Sequence, residues 1–188
     1  MSTPSFSLAV YCGSRTGTQP AFAYAAAEVG RWLGARGGQL VYGGGKNGLM
    51  GIVAQATLEA GGTVVGVIPR DMVEREWANH DCTELHIVET MAQRKAMMIE
   101  RADAYIALPG GIGTFEEILE VWTLHTLGYL DKPVGLLNTN GYYDPLLAFF
   151  QGANTEGLIG DWQMEMLLVQ SETDSLLEQI VTASGRTL

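Results

Sequence analysis

Apolar residues along this chain gather into short β-branched or aliphatic runs that alternate with longer stretches in which they recur every three or four positions. The runs Leu8–Cys12, Leu40–Tyr42, Thr63–Ile68, Leu85–Val88, Ala104–Leu108, Val134–Leu137 and Met166–Val169 predict strands. The stretches Pro20–Arg36, Leu49–Ala60, Met91–Ala102, Phe115–Leu127, Pro145–Thr155 and Asp174–Ala183 predict helices. Pro20 suits a first helical turn, and Gly37-Gly38 and Gly61-Gly62 are stop signals. Between Pro69 and Leu85 the pattern dissolves into a polar loop. Strands this apolar, separated by helices, indicate an α/β fold: a Rossmann-like doubly wound parallel sheet of about six or seven strands with helices on both faces. With 188 residues and neither an internal repeat nor a low-complexity linker, residues 1–188 are expected to form a single domain.

In open sheets of this kind, ligands sit beyond the carboxyl ends of the strands. That directs attention to four loops, Gly13–Gly17, Gly43–Gly48, Pro69–Glu76 and Pro109–Thr114. The last opens PGGIGTFEE, Pro109 to Glu117, where Gly110, Gly111 and Gly113 strip side chains from the segment joining a strand to a helix. Bare N–H groups at a helix start favour an anion, with phosphate the usual guest. Glu116 and Glu117 would repel phosphate and are expected to serve another part of the ligand or the helix itself. Thr114 and Glu117 also fit a capping box, in which the Thr caps the helix and the Glu reaches back to the backbone.

GGGKNGLMG, Gly43 to Gly51, contains Gly43-x-Gly45-x-x-Gly48, formally a dinucleotide fingerprint. It follows the second strand rather than the first, and the third strand ends in Pro69-Arg70 rather than an acid that would hold a ribose. Two readings stay open: tight turns that let a helix approach the sheet, or ligand contacts from Gly44 and Gly45. On MAQRKAMM, Met91, Met98 and Ile99 share a helical face and read as core, while Arg94 and Lys95 place two cations on the first turns of a helix. Cations there oppose the helix dipole, which makes physical sense beside an anion. Ser14, after the first strand, could donate to a ligand or simply make a turn.

Charge and cysteine content narrow the partners. A net charge of −10 with only 11 Lys and Arg argues against nucleic acid or an anionic membrane surface. The N-terminal residues lack a secretory pattern and no run approaches the roughly 20 apolar residues of a membrane span, so a cytoplasmic location is expected. Cys12 and Cys82 make no disulfide framework, and His80, His86 and His125 have no metal-ligand spacing with them or with each other. No metal site is expected from these residues. No GxSxG elbow is present.

GGGKNGLMG, Arg94-Lys95 in a Met-x-x-Arg-Lys setting, PGGIGTFEE and then DKPVGLLNTNGYYDPLLAF, in this order, resemble the LOG ("Lonely Guy") family of cytokinin riboside 5′-monophosphate phosphoribohydrolases. The resemblance runs from about Leu8 to the region of Leu158. It implies hydrolysis of the N-glycosidic bond of adenosine 5′-monophosphates, often N6-substituted, to free base and ribose 5-phosphate, without a metal or organic cofactor, by a homodimer. Arg94 and Glu117 match the catalytic pair. Gly111, Gly113 and Thr114 match the phosphate-binding loop. Lys95, Glu76 and Thr123 fall at nucleotide-contacting positions. The stretch Ile118–Leu130, with Trp122 and Leu127, could supply the dimer face or could pack as core. Two alternatives come from other classes. One is a nucleotide-binding protein without turnover. The other is a pyridoxal-phosphate decarboxylase, for which only Lys46, Lys95 and Lys132 could form the Schiff base.

Overall fold

The computed structural model describes residues 4–75 and 77–186. Its centre is one seven-stranded sheet, all of whose strand pairs are parallel. The elements run β1 (Ser7–Tyr11), α1 (Pro20–Ala35), β2 (Gln39–Tyr42), α2 (Gly48–Glu59), β3 (Thr63–Pro69), α3 (Arg70–Glu74), β4 (Glu84–Val88) and α4 (Met91–Arg101). They continue with β5 (Ala104–Ala107), α5 (Ile112–Thr126), β6 (Val134–Leu137), a 3₁₀ turn (Thr139–Gly141), α6 (Asp144–Thr155), α7 (Asp161–Glu165), β7 (Leu167–Gln170) and α8 (Thr173–Ala183). The expected strands and main helices are all present, with ends displaced by a residue or two except at the start of α5. The polar loop after β3 holds the short helix α3, and a second short helix, α7, precedes β7.

Strand alternation splits the core in two. Leu8, Val10 and Cys12, with Ala104, Ile106 and Leu108, face α1, α2 and α8. Ala9, Tyr11, Tyr105 and Ala107 face the opposite layer, with Met98 of α4, Ile118, Val121 and Trp122 of α5 and Phe150 of α6. In the first layer, α1 and α2 approach so closely that a Cβ on Gly30 would meet the Val53 carbonyl oxygen at 2.5 Å. Ile118 and Trp122 are therefore core residues, the second of the two readings open for their segment. Of its large apolar residues, Leu127 and Tyr129 at its end are exposed.

The strand order β4-β3-β2-β1-β5-β6-β7 locates the site. From β1 the chain moves outward through β2 and β3 to β4, then returns to place β5 on the other side of β1. The loops after β1 and β5 consequently leave the sheet toward opposite faces and open a crevice between them. Among the described residues no helix is long and apolar enough to cross a membrane.

Candidate functional site

Backbone hydrogen bonds lace the loops at this crevice together. The Gly13 N–H donates to the Pro109 carbonyl at 3.1 Å and the Leu49 N–H donates to the Gly13 carbonyl at 3.0 Å, tying the loops after β1, β2 and β5 into one rim. A cavity of about 340 Å³ lies beneath it, large enough for a small-molecule ligand. It is lined by Cys12, Gly13 and Ser14 from the first loop, Gly43 and Gly45 from the second, Arg94 of α4, and Gly111 through Thr114 with Glu116 and Glu117 of α5. A second cavity of about 330 Å³ adjoins it on the α1 side and shares Gly13, Ser14 and Gly111.

Within the first cavity, Arg94 Nη1 stands 3.3 Å from Glu117 Oε1. Both residues are almost fully buried, at 8 % and 7 % exposure. The Arg94 Nε donates to the Val67 carbonyl at 3.1 Å, so the guanidinium is anchored to β3 at one edge and presented to the carboxylate at the other. Burial pushes the Glu117 carboxyl above its ordinary pKa, and the neighbouring Arg94 opposes this only in part. A desolvated carboxylate near a fixed cation is a strong base and a strong partner for positive charge. Gly43 makes the arrangement possible, because a Cβ there would overlap Arg94 Nη2.

The helix start differs from the capping-box expectation. α5 begins at Ile112 with Gly111 as its N-cap, and no side chain caps it. Thr114 therefore sits inside the first turn, its buried side chain packed against Gly110, and Glu117 lies nearly two turns in, facing Arg94 instead of the helix end. The glycines of the loop now divide by cause. Gly110 is required by packing against Thr114. Gly111 and Gly113 have negative φ, and a Cβ on either would meet nothing within 4 Å. Neither backbone strain nor internal packing demands glycine at these two positions. Within the first helical turn, glycine at Gly113 costs up to about 1 kcal/mol relative to Ala, whereas at the N-cap position of Gly111 it is favoured over Ala. Both leave open space beside the uncapped N–H groups.

In the second glycine loop, Gly44 and Gly48 adopt positive φ and approach neighbouring backbone, so they serve the turn. Gly43 and Gly45, not Gly44, face the cavity. Lys95 is turned toward the surface of α5, where its Nζ pairs with Glu116 and, at 3.1 Å, with Glu120. The negative charge that offsets the two cations of α4 is thus the carboxylates of α5. Thr123 is exposed, donates to the Leu119 carbonyl at 2.7 Å and is not among the residues that line these two cavities. Glu76 lies outside the described residues. None of Lys46, Lys95 and Lys132 lines the cavity, which removes the structural basis for a Schiff-base lysine there. Among the described residues no group of three or more His, Cys, Asp or Glu is placed to hold a metal ion.

An apolar wall opposite Glu117 was not legible in the pattern of the chain. Met50, Ile68, Met72, Trp77 and Met91 line it. Trp77 reaches it because the Lys46 N–H donates to the Trp77 carbonyl at 2.9 Å and Gly45 bridges Ala78, which pins the segment after α3 to the second glycine loop. Met91, expected in the core, is 40 % exposed and opens into the cavity instead. A signal was available in Met72 and Trp77, two large apolar residues in an otherwise polar loop at the carboxyl end of a strand.

A family model described as "Possible lysine decarboxylase" matches residues 50–180. A rice protein, "Probable cytokinin riboside 5′-monophosphate phosphoribohydrolase LOGL1" of Oryza sativa subsp. japonica, is 51 % identical over 152 residues, covering 81 % of this chain and 68 % of its own length. An Arabidopsis thaliana protein, "Cytokinin riboside 5′-monophosphate phosphoribohydrolase LOG3", is 44 % identical over 173 residues, 92 % of this chain and 80 % of its own. The molybdenum cofactor carrier protein of Chlamydomonas reinhardtii superposes with a TM-score of 0.73 over 98 % of this chain and 100 % of that one at 20 % identity, a likeness of fold alone.

Proposed function

The chain belongs to the LOG family of cytokinin riboside 5′-monophosphate phosphoribohydrolases, and from that premise we propose that it hydrolyses the N-glycosidic bond of adenosine 5′-monophosphates at the Arg94–Glu117 cavity, releasing free base and ribose 5-phosphate. The observation that carries this assignment is the opening of a buried Arg–Glu pair and an uncapped, glycine-lined helix start into one cavity.

The chemistry divides along that cavity. The N–H groups at the start of α5, with Thr114 and Ser14, hold the 5′-phosphate, and its binding energy fixes the ribose over Glu117. As the base departs, the anomeric carbon gains cationic character. The Glu117 carboxylate, poorly solvated, stabilises that charge and orients the attacking water. Arg94 holds the carboxylate in place and keeps it ionised. The wall of Met50, Met72, Trp77 and Met91 takes the flat, apolar face of the base and suits an N6-alkyl substituent. No step calls for a metal or an organic cofactor.

The remaining parts of the reading are a cytoplasmic location, a small nucleotide and not nucleic acid as partner, and a homodimer to which exposed Leu127 and Tyr129 contribute apolar surface. The assay that tests the activity incubates the protein with AMP and with N6-isopentenyl-AMP and follows free base by chromatography. Base is expected from at least one. Tight AMP binding with no base from either would leave a nucleotide-binding protein without turnover.

Gly113→Ala separates the ligand from the fold. The added methyl meets no protein atom and improves helix propensity, so the melting temperature is expected to hold or rise by a few degrees. KM for AMP is expected to rise about tenfold or more, because the methyl occupies the space the phosphate needs. An unchanged KM would place the phosphate elsewhere.

A further inference from the structure

The loop that presents α5 to its ligand is held from behind. Three consecutive carbonyls ahead of the helix, those of Leu108, Pro109 and Gly110, each accept from a protein donor: the Tyr143 hydroxyl at 2.7 Å, the Gly13 N–H at 3.1 Å and the Tyr142 hydroxyl. The two tyrosines come from the segment after β6, where the 3₁₀ turn bends through Asn140 and Gly141, both at positive φ. Below them, the Asn138 side chain accepts from the Tyr143 N–H at 2.7 Å and donates to Asp144 at 2.7 Å, which fixes the turn. Tyr142 also packs edge-on against Phe22 and Tyr143, with ring centroids 5.3 and 5.0 Å away.

A carbonyl oxygen at the neck of an anion site repels the anion. The peptide joining Gly110 to Gly111 is trans, so its C=O and N–H point in opposite directions. Tyr142 lines the cavity on the α1 side. Holding the Gly110 carbonyl there aims the Gly111 N–H the other way, toward the Arg94–Glu117 cavity. On the Gly111 side nothing lies within 4 Å of where a Cβ would be, so packing against Thr114 at Gly110 and the Tyr142 hydroxyl are what hold this peptide.

We propose that Tyr142 is a positioning residue for the phosphate: its hydroxyl locks the Gly110–Gly111 peptide with the N–H facing the anion and the carbonyl turned away. This rests on the assignment of the α5 start to the substrate phosphate. Tyr142→Phe keeps the ring, with its contacts to Phe22 and Tyr143, and removes only the donor.

The test is calorimetric titration of inorganic phosphate and of ribose 5-phosphate into wild type, Tyr142→Phe and Tyr143→Phe, alongside KM and kcat for AMP and melting temperatures. Tyr142→Phe is expected to weaken binding of both anions and to raise KM by about tenfold, with kcat within about twofold of wild type. Tyr143→Phe, which frees a carbonyl two residues farther from the helix, is expected to lower the melting temperature with phosphate affinity unchanged. Equal phosphate binding by wild type and Tyr142→Phe overturns the inference, as does a loss of affinity in both variants that tracks their loss of stability. Wild type that binds neither anion overturns the phosphate assignment itself. Anion binding without base release leaves the role of Tyr142 measurable while removing the enzymatic reading.

Discussion

Glu117→Gln is expected to lower kcat by about two to four orders of magnitude while leaving the protein folded at neutral pH, where relief of the buried negative charge offsets part of what Arg94 loses with its partner. The two effects share one cause. Burial raises the Glu117 pKa more than Arg94 lowers it, so ionised Glu117 is less favourable in the folded chain than in the unfolded one. Linkage sets the sign. A carboxyl whose folded pKa is raised costs stability above that pKa, and the cost disappears once the group is protonated in both states, below its unfolded value of about 4.3. Glutamine never carries the charge. The stability of the variant relative to wild type should therefore be highest at neutral pH and decline as the pH falls. Activity runs the other way, since the carboxylate is the working form. The acid limb of kcat/KM for wild type should fall above the usual carboxylate range, and the residual activity of Glu117→Gln should lack that limb. Thermal melts and rate profiles across pH 4 to 8 measure both. A variant that melts far below wild type at neutral pH would mean that the carboxylate is chiefly structural.

Gly43→Ala is expected to be nearly as damaging to catalysis without touching either member of the pair. Its Cβ would occupy the place of Arg94 Nη2, on a guanidinium whose Nε donates to the Val67 carbonyl of β3. One of the two must move. If the guanidinium moves, Glu117 loses its partner and its orientation, and kcat is expected to fall about a hundredfold. Overpacking of this kind costs about 1–3 kcal/mol of stability. The distinguishing measurement is Gly43→Ala combined with Arg94→Ala. Once the guanidinium is gone the methyl has room, so the double variant should be no less active than Arg94→Ala alone. A further loss in the double variant would assign Gly43 a separate role.

Much of this molecule could be read from its pattern. The strands are short, apolar and β-branched, and their helical neighbours have long periodic faces, so the order of elements emerged nearly complete. The helices that escaped, Arg70–Glu74 and Asp161–Glu165, are too short to show a period. The error at the start of α5 is more instructive. Ile112-Gly113 reads as loop because glycine disfavours helix, and that placed Thr114 at the cap and Glu117 within reach of it. The helix in fact begins at Ile112, on an N-terminus that no side chain caps, and this rotates Glu117 from a capping position to the interior. Local preference lost to tertiary context at that turn.

Residue types and their order determined the fold class and the loops at the crevice, because periodicity and glycine placement are local properties that the chain carries in one dimension. Pairing was decided in three dimensions. Arg94 and Glu117 lie 3.3 Å apart because the return of the chain from β4 to β5 sets α4 beside α5. The same packing turned Lys95 to the surface of α5, brought Gly43 under the guanidinium and drew Trp77 and Met91 to the wall. Each of these depends on which elements become neighbours and at what depth from water. Those are properties of the packed sheet and helices, and no single segment of the sequence contains them.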